Sequence, residues 1–191
     1  MDEVLRERLN QILPRLVSDE LLGGRGLGNE IAFYVFAYPP EQELVVREHV
    51  TFLVDQIPRK KPDLRFKHVN LFDLVIEYLG ERKLLDRAFE MQKTKGDDAL
   101  MKALKAPLHP EKLARVFVDK GLAEDQDLVL LSGIGSAWPL VRSHTLLTNL
   151  HPIMGNTPLV MFFPGDYDGQ YLQLFGKLTN NNYYRAFRLI P

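Results

Sequence analysis

The sequence predicts an α/β protein: a three-layer sandwich with a mostly parallel sheet of about five strands, helices on both faces and an added helical lobe. Two observations carry this. Near-continuous apolar runs at residues 31–38, 128–131 and 159–163 read as strands buried on both faces, as in parallel sheets. Amphipathic helical patterns fall between those runs, and short strands alternating with helices build β-α-β crossovers. The type is Rossmann-like, or a degenerate form of the nucleotide-binding α/β domains. At 191 residues, 46% of them hydrophobic, the chain suits one domain over 1–191, with the 71–121 helical lobe inserted between sheet strands.

The centre of this architecture is the stretch from Leu128 to Gly169, a buried strand, a glycine-containing turn, a helix, a second buried strand and a polar loop. The elements around it follow in order. Leu5, Leu9, Ile12, Leu13 and Leu16 recur at spacings of three and four and make one stripe of a helix, which Pro14 should kink or shorten. Four glycines, Gly23, Gly24, Gly26 and Gly28, then precede a strand. A dinucleotide-binding loop must follow a strand and open a helix, so these glycines are read as a candidate hinge. Ile31–Tyr38 is aromatic and β-branched and stops at Pro39-Pro40. The helix after it has Glu41 and Glu43 at its start and Arg59, Lys60 and Lys61 at its end, matching the helix dipole.

Residues 64–69 form a second strand, and Asn70 caps a helix whose Leu71, Leu74, Val75, Tyr78 and Leu79 share one face. Two short helices broken at Lys95-Gly96, and a third opened by Pro110, complete the lobe. Trp138-Pro139 is expected to open the helix of the central unit, from Leu140 to Leu150. Pro164–Gly169 is expected to be a polar turn, and strands at 171–175 and 183–190 close the chain, with Arg185 and Arg188 as edge-strand charges.

Several function classes find no support. A formal net charge of -1 leaves no global footprint for nucleic acid or an anionic membrane, and direct nucleic-acid binding is not expected. There is no cysteine, so thiol nucleophiles and thiolate metal sites are excluded, in keeping with a reducing, cytoplasmic setting. No run reaches the length of a membrane span and no targeting segment is visible, so no membrane association is expected. The P-loop lysine is missing, no catalytic triad or metal cluster can be read, and the expectation is a non-enzyme with no cofactor and no metal.

What remains is a crevice beyond the strand ends, where open α/β sheets bind ligands. It would gather Ser132, Gly133 and Gly135 from the first turn of the central unit, Arg142 from its helix, and Asp166 and Asp168 from its last loop. Backbone N–H groups and an arginine fork would favour an anion there. His49 and His144 lie on apolar stripes and read as core or boundary imidazoles with a satisfied hydrogen bond.

Three blocks carry a family resemblance: RGLGNEIAFYVFAYPPEQELVVREHV at 25–50, GSAWPLVRSHTLLTNLHPIMGNTPLVMFFPGDYDGQ at 135–170 and LQLFGKLTNNNYYRAFRLIP at 172–191. Together they resemble the BrxB family, small proteins of the BREX bacteriophage-exclusion systems. The resemblance implies a cytoplasmic accessory protein of antiphage defence, an adaptor or regulatory subunit without catalytic residues of its own. The partners it implies are other BREX proteins, foremost the alkaline-phosphatase-like PglZ, then the large ATPase and the DNA methyltransferase. A homodimer is a further expectation. The alternative drawn from the residues is a small-ligand or nucleotide-sensing domain, or a divergent phosphohydrolase, using the crevice.

Overall fold

A computed structural model describes residues 2–23, 32–121, 126–179 and 186–190. The helices are α1 (Glu3–Leu16), α2 (Asp19–Leu22), α3 (Glu43–Lys60), α4 (Leu71–Glu81), α5 (Leu85–Lys95), α6 (Asp97–Leu104), α7 (Pro110–Gly121), α8 (Ile134–Ala137) and α9 (Ser143–Leu150). The strands are β1 (Phe33–Tyr38), β2 (Phe66–Asn70), β3 (Leu128–Ser132), β4 (Leu159–Tyr167), β5 (Leu172–Leu174), β6 (Leu178–Thr179) and β7 (Phe187–Arg188). Five strands pair in parallel in the order β2-β3-β4-β1-β7, and β5 and β6 continue antiparallel from the outer half of β4.

The alternation of side chains along each strand divides the core into two layers. Tyr34, Phe36, Leu128, Leu130, Val160 and Phe162 face α1, α2 and α3, where Leu9, Ile12, Leu16, Val50, Leu53 and Ile57 meet them. Phe33, Val35, Val129, Leu131, Met161 and Phe163 face the other way, against Leu74, Val75, Phe117, Ile134 and Leu147 from α4 to α9. This explains the unbroken apolar runs: both faces of each central strand are covered. The expected mostly parallel sheet of about five strands, flanked by helices on both sides, is therefore present.

The helical block follows its predicted boundaries closely. Asn70 Oδ1 accepts hydrogen bonds from Phe72 N (3.0 Å) and Asp73 N (3.4 Å) and caps α4. Gly96 separates α5 from α6, and Pro110 opens α7. The helices α4 and α7 pack beneath the sheet, whereas α5 and α6 bury only Ala88 and Leu104.

Three expectations need correction. The helix expected from Leu140 starts at Ser143, and a single turn, α8, precedes it. Trp138 is extended at ψ 140°, as a residue before proline is pushed to be, so no helix runs through Trp138-Pro139, whose peptide bond is cis. Pro164–Gly169 is not a loop throughout: β4 runs on to Tyr167, with Gly165, Asp166 and Tyr167 opposite Leu174, Gln173 and Leu172. Glycine permits this, because a Cβ at 165 would overlap the Gln173 carbonyl oxygen and lie 2.9 Å from Phe175 N. Of the expected 183–190 strand, Phe187 and Arg188 pair with β1, and 183–185 lie outside the described residues, as do Gly24, Gly26 and Gly28. Gly23 caps the end of α2.

Candidate functional site

Two open cavities lie at the C-terminal ends of the parallel strands. The first, of about 490 Å³, is lined by Val35 and Ala37 of β1, by Gly165, Asp166 and Tyr167 of β4 with Asp168 just beyond its end, and by Arg188 of β7. Arg8 reaches it from α1. Its Nη2 donates to the Ala37 carbonyl at 3.0 Å, and its guanidinium lies 4.7 Å from the centre of the Phe36 ring. Arg188 Nη2 donates to the Tyr167 carbonyl at 3.0 Å, while the Tyr167 hydroxyl donates to the Ala186 carbonyl at 2.7 Å. Burial and, second, the Arg188 charge hold the Arg8 pKa below its ordinary value. Next to Tyr167, Asp168 Oδ1 accepts from the amides of Tyr171 and Gln170, both at 2.7 Å, and those bonds to its charged form, with a smaller contribution from the Arg188 charge, keep its carboxyl below the usual range.

The second cavity, of about 540 Å³, lies at the β2 edge between α3, α4 and α7, lined by Arg47, Lys67, His68, Asp73, Lys120 and Ser132 among others. His68 Nε2 and Ser132 Oγ are 2.7 Å apart. The sheet register makes this pair: His68 stands opposite Leu130, two positions before Ser132, on the same face of neighbouring strands. Burial lowers the pKa of His68, and the nearby Asp73 charge partly counters that. Lys120 is held between Glu77 and Glu81 at 2.7 and 2.6 Å.

The six crevice residues expected from the sequence do not share one pocket. Ser132 lines the second cavity, and Asp166 and Asp168 line the first. Gly133, at φ 72°, packs against Asn70, and Gly135 packs against Pro164 and Phe175. Arg142 is exposed at the start of α9 and lines neither cavity. The physical reason is the extension of β4, which sets Asp166 in the β5 ladder and Asp168 just past its end instead of sending them back over the β3 turn. Sequence reasoning missed Arg8, His68 and the cavity role of Arg188, because each acquires its neighbours through strand order or helix packing. Arg8, on the helix face next to Leu5 and Leu9, was the one with a local signal.

Neither of the buried-stripe histidines is fully satisfied. His49 Nε2 and His144 Nδ1 are buried without a hydrogen-bond partner among the described residues, and burial lowers both pKa values. His49 nevertheless has the expected hydrogen bond, with the Leu9 backbone. Among the described residues, no group of three or more His, Asp or Glu side chains could hold a metal ion, and no helix is long and apolar enough to cross a membrane.

Beside Gly135 the surface is aromatic. Trp138 is 42% exposed and meets Phe175 edge-on at 6.1 Å between ring centres, and Leu178, 36% exposed, follows on the β5–β6 hairpin. Large apolar side chains in such a cluster are unusual on a surface that stays in water.

The model of the family described as "BREX protein BrxB" matches residues 67–189. BREX protein BrxB of Bacillus cereus (strain H3081.97) is 39% identical over 190 residues, covering 97% of this chain and 97% of that protein. BREX protein BrxB of Escherichia coli O9:H4 (strain HS) is 42% identical over 191 residues, covering 100% of this chain and 94% of that one. No solved structure matches significantly. The matches run through the β1–β4 sheet, both cavities and the aromatic hairpin, and the chain belongs to the BrxB family of BREX antiphage-defence proteins.

Proposed function

We propose that this chain is a non-catalytic adaptor or regulatory subunit, cytoplasmic and folded as one unit over 1–191, that assembles or controls other BREX proteins. PglZ is the foremost partner and the ATPase the next, with the DNA methyltransferase controlled through the assembly. The observation that carries the reading is the exposed Trp138, set edge-on against the half-buried Phe175, with the exposed Leu178 on the same hairpin as Phe175. Tryptophan and its aromatic neighbours are common binding hot spots, and they lose most from staying hydrated. The outer α5–α6 pair, with Phe89 58% exposed, offers a second surface.

The test is co-expression of the tagged chain with each BREX component, with native mass determination of what is recovered. A stoichiometric complex with PglZ or the ATPase, lost in a Trp138→Ala variant that melts normally, supports the reading. Recovery of the chain alone or as a homodimer, with every component and at several salt concentrations, refutes it.

A second reading, a divergent phosphohydrolase or ligand sensor, draws on the 2.7 Å His68–Ser132 contact in an open cavity. A hydroxyl with a histidine at that distance is the arrangement of a nucleophile and its base. Phage defence unchanged in Ser132→Ala would dismiss it. The parallel sheet also supports a distant relationship to nucleotide-binding α/β domains, though Pro39-Pro40 stands after β1 where such domains carry glycines.

A further inference from the structure

The first cavity lies where the chain's connections part. From β1 the chain leaves to α3, on one face of the sheet, and from β3 it leaves to α8, on the other. The neighbour between them, β4, runs out into the β5 hairpin. In open parallel sheets such a reversal holds a crevice beyond the strand ends, and ligands bind in it. Its lining here includes Arg8 from the first helix and Arg188 from the last strand.

Arg8 lies over the Phe36 ring and the Arg188 charge acts on Asp168, but neither guanidinium is closed off in an ion pair among the described residues. Arg15, Arg47, Arg59 and Arg65 each form an ion pair with a carboxylate at 2.7 to 3.2 Å. Among the described residues, Arg8 and Arg188 form none. Folding has instead placed two like charges together and partly buried one of them. Each is steadied by one bond to a backbone carbonyl, which leaves donors of its planar fork unused. Two guanidiniums fixed before a ligand arrives match the charge and the several acceptor oxygens of a phosphate dianion.

Asp166 and Asp168, which flank the Tyr167 carbonyl that Arg188 holds, narrow the choice. Two carboxylates repel a bare anion, but they accept hydrogen bonds from hydroxyl groups. The volume of about 490 Å³ is within the range of small-ligand sites. We infer that this cavity binds a phosphate ester bearing free hydroxyls, of the sugar-phosphate or nucleoside-monophosphate class, with the phosphate between Arg8 and Arg188 and the hydroxyls toward Asp166 and Asp168. Trp138 does not line this cavity, so Trp138→Ala leaves its polar groups in place whichever way the docking experiment falls.

The test is calorimetric and NMR titration of the full chain with AMP, ribose 5-phosphate, inorganic phosphate and adenosine. The two esters are expected to saturate, adenosine to give no binding, and inorganic phosphate to bind more weakly than either ester. Arg8→Gln and Arg188→Gln should each weaken ester binding about tenfold or more, the loss expected when a charge-assisted pair is removed. Asp166→Asn should weaken the esters more than inorganic phosphate, and Lys67→Gln, in the other cavity, should change nothing. The inference is overturned if neither ester saturates with the wild-type chain, a result that needs no variant to fold. It is equally overturned if an Arg8→Gln, Arg188→Gln double variant that still melts cooperatively binds as well as wild type.

Discussion

Replacing Gly133 by alanine tests how the central turn is held. Gly133 follows β3 at φ 72° and ψ 17°, in the left-handed region, where a side chain costs about 1–2 kcal/mol. A Cβ there would also overlap Asn70 Oδ1, lie 2.8 Å from Asn70 Cγ and stand 3.2 Å from Leu71 N. The Asn70 side chain must then swing away and release the amides of Phe72 and Asp73 at the start of α4. Loss of an asparagine cap costs about 1 kcal/mol. The two effects together predict a destabilisation of about 2–3 kcal/mol, or a fall of about 1 M in the urea midpoint for a typical slope. The cap and the clash share one side chain, so the effects must couple. Asn70→Ala alone should cost about 1 kcal/mol, and in that background Gly133→Ala should cost about 1 kcal/mol less than in wild type. Equilibrium urea unfolding of the four proteins measures the cycle. Strict additivity, or a Gly133→Ala cost below about 0.5 kcal/mol, would show that Asn70 is not the constraint on this turn.

Other expectations follow from burial and charge. Phe117 is fully buried between α7 and the sheet, and Phe117→Ala should cost about 3–5 kcal/mol in chemical unfolding. Phe89→Ala, on the outer face of α5, should stay within about 0.5 kcal/mol, and a larger loss would mean that α5 is covered in the isolated chain. His49, His68 and His144 all have folded pKa values lowered by burial. The unfolded chain therefore takes up protons first, near the ordinary value of about 6.5, and stability present above that pH is lost as pH falls through the lowered values. Thermal melting should drop between about pH 7 and pH 5, before the paired carboxylates titrate, and a flat or rising profile over that window would contradict the assignment. Loss of Trp138 is expected to remove partner binding without changing the melting temperature, since the ring is 42% exposed.

The order β2-β3-β4-β1-β7 has a consequence for how the chain assembles. The first strand, β1, pairs with β4 and β7, both more than a hundred residues later, so the centre of the sheet cannot close until nearly the whole chain is present. Truncation before β4 would leave β1 without its partner on that side and expose Tyr34, Phe36 and their neighbours.

Composition and local pattern determined much of this protein without any contact between distant residues. The unbroken apolar runs at β1, β3 and β4 required strands covered on both faces. The i, i+3, i+4 stripe of α4, its Asn70 cap, the Gly96 break and the Pro110 start are local rules, and the structure keeps each of them. Three long blocks of residues sufficed for the family resemblance. Tertiary structure decided the sites. Whether Pro164–Tyr167 became turn or strand depended on β5 coming to lie against it, because proline, glycine and aspartate are turn formers unless a partner strand supplies the ladder. The run of β4 along β5 separated Ser132 from Asp166 and Asp168, the pairing of β2 with β3 brought His68 to Ser132, and the packing of α1 brought Arg8 to the neighbourhood of Arg188. Strand order and helix packing are set by the summed burial of both core layers, and no short window of sequence contains that sum.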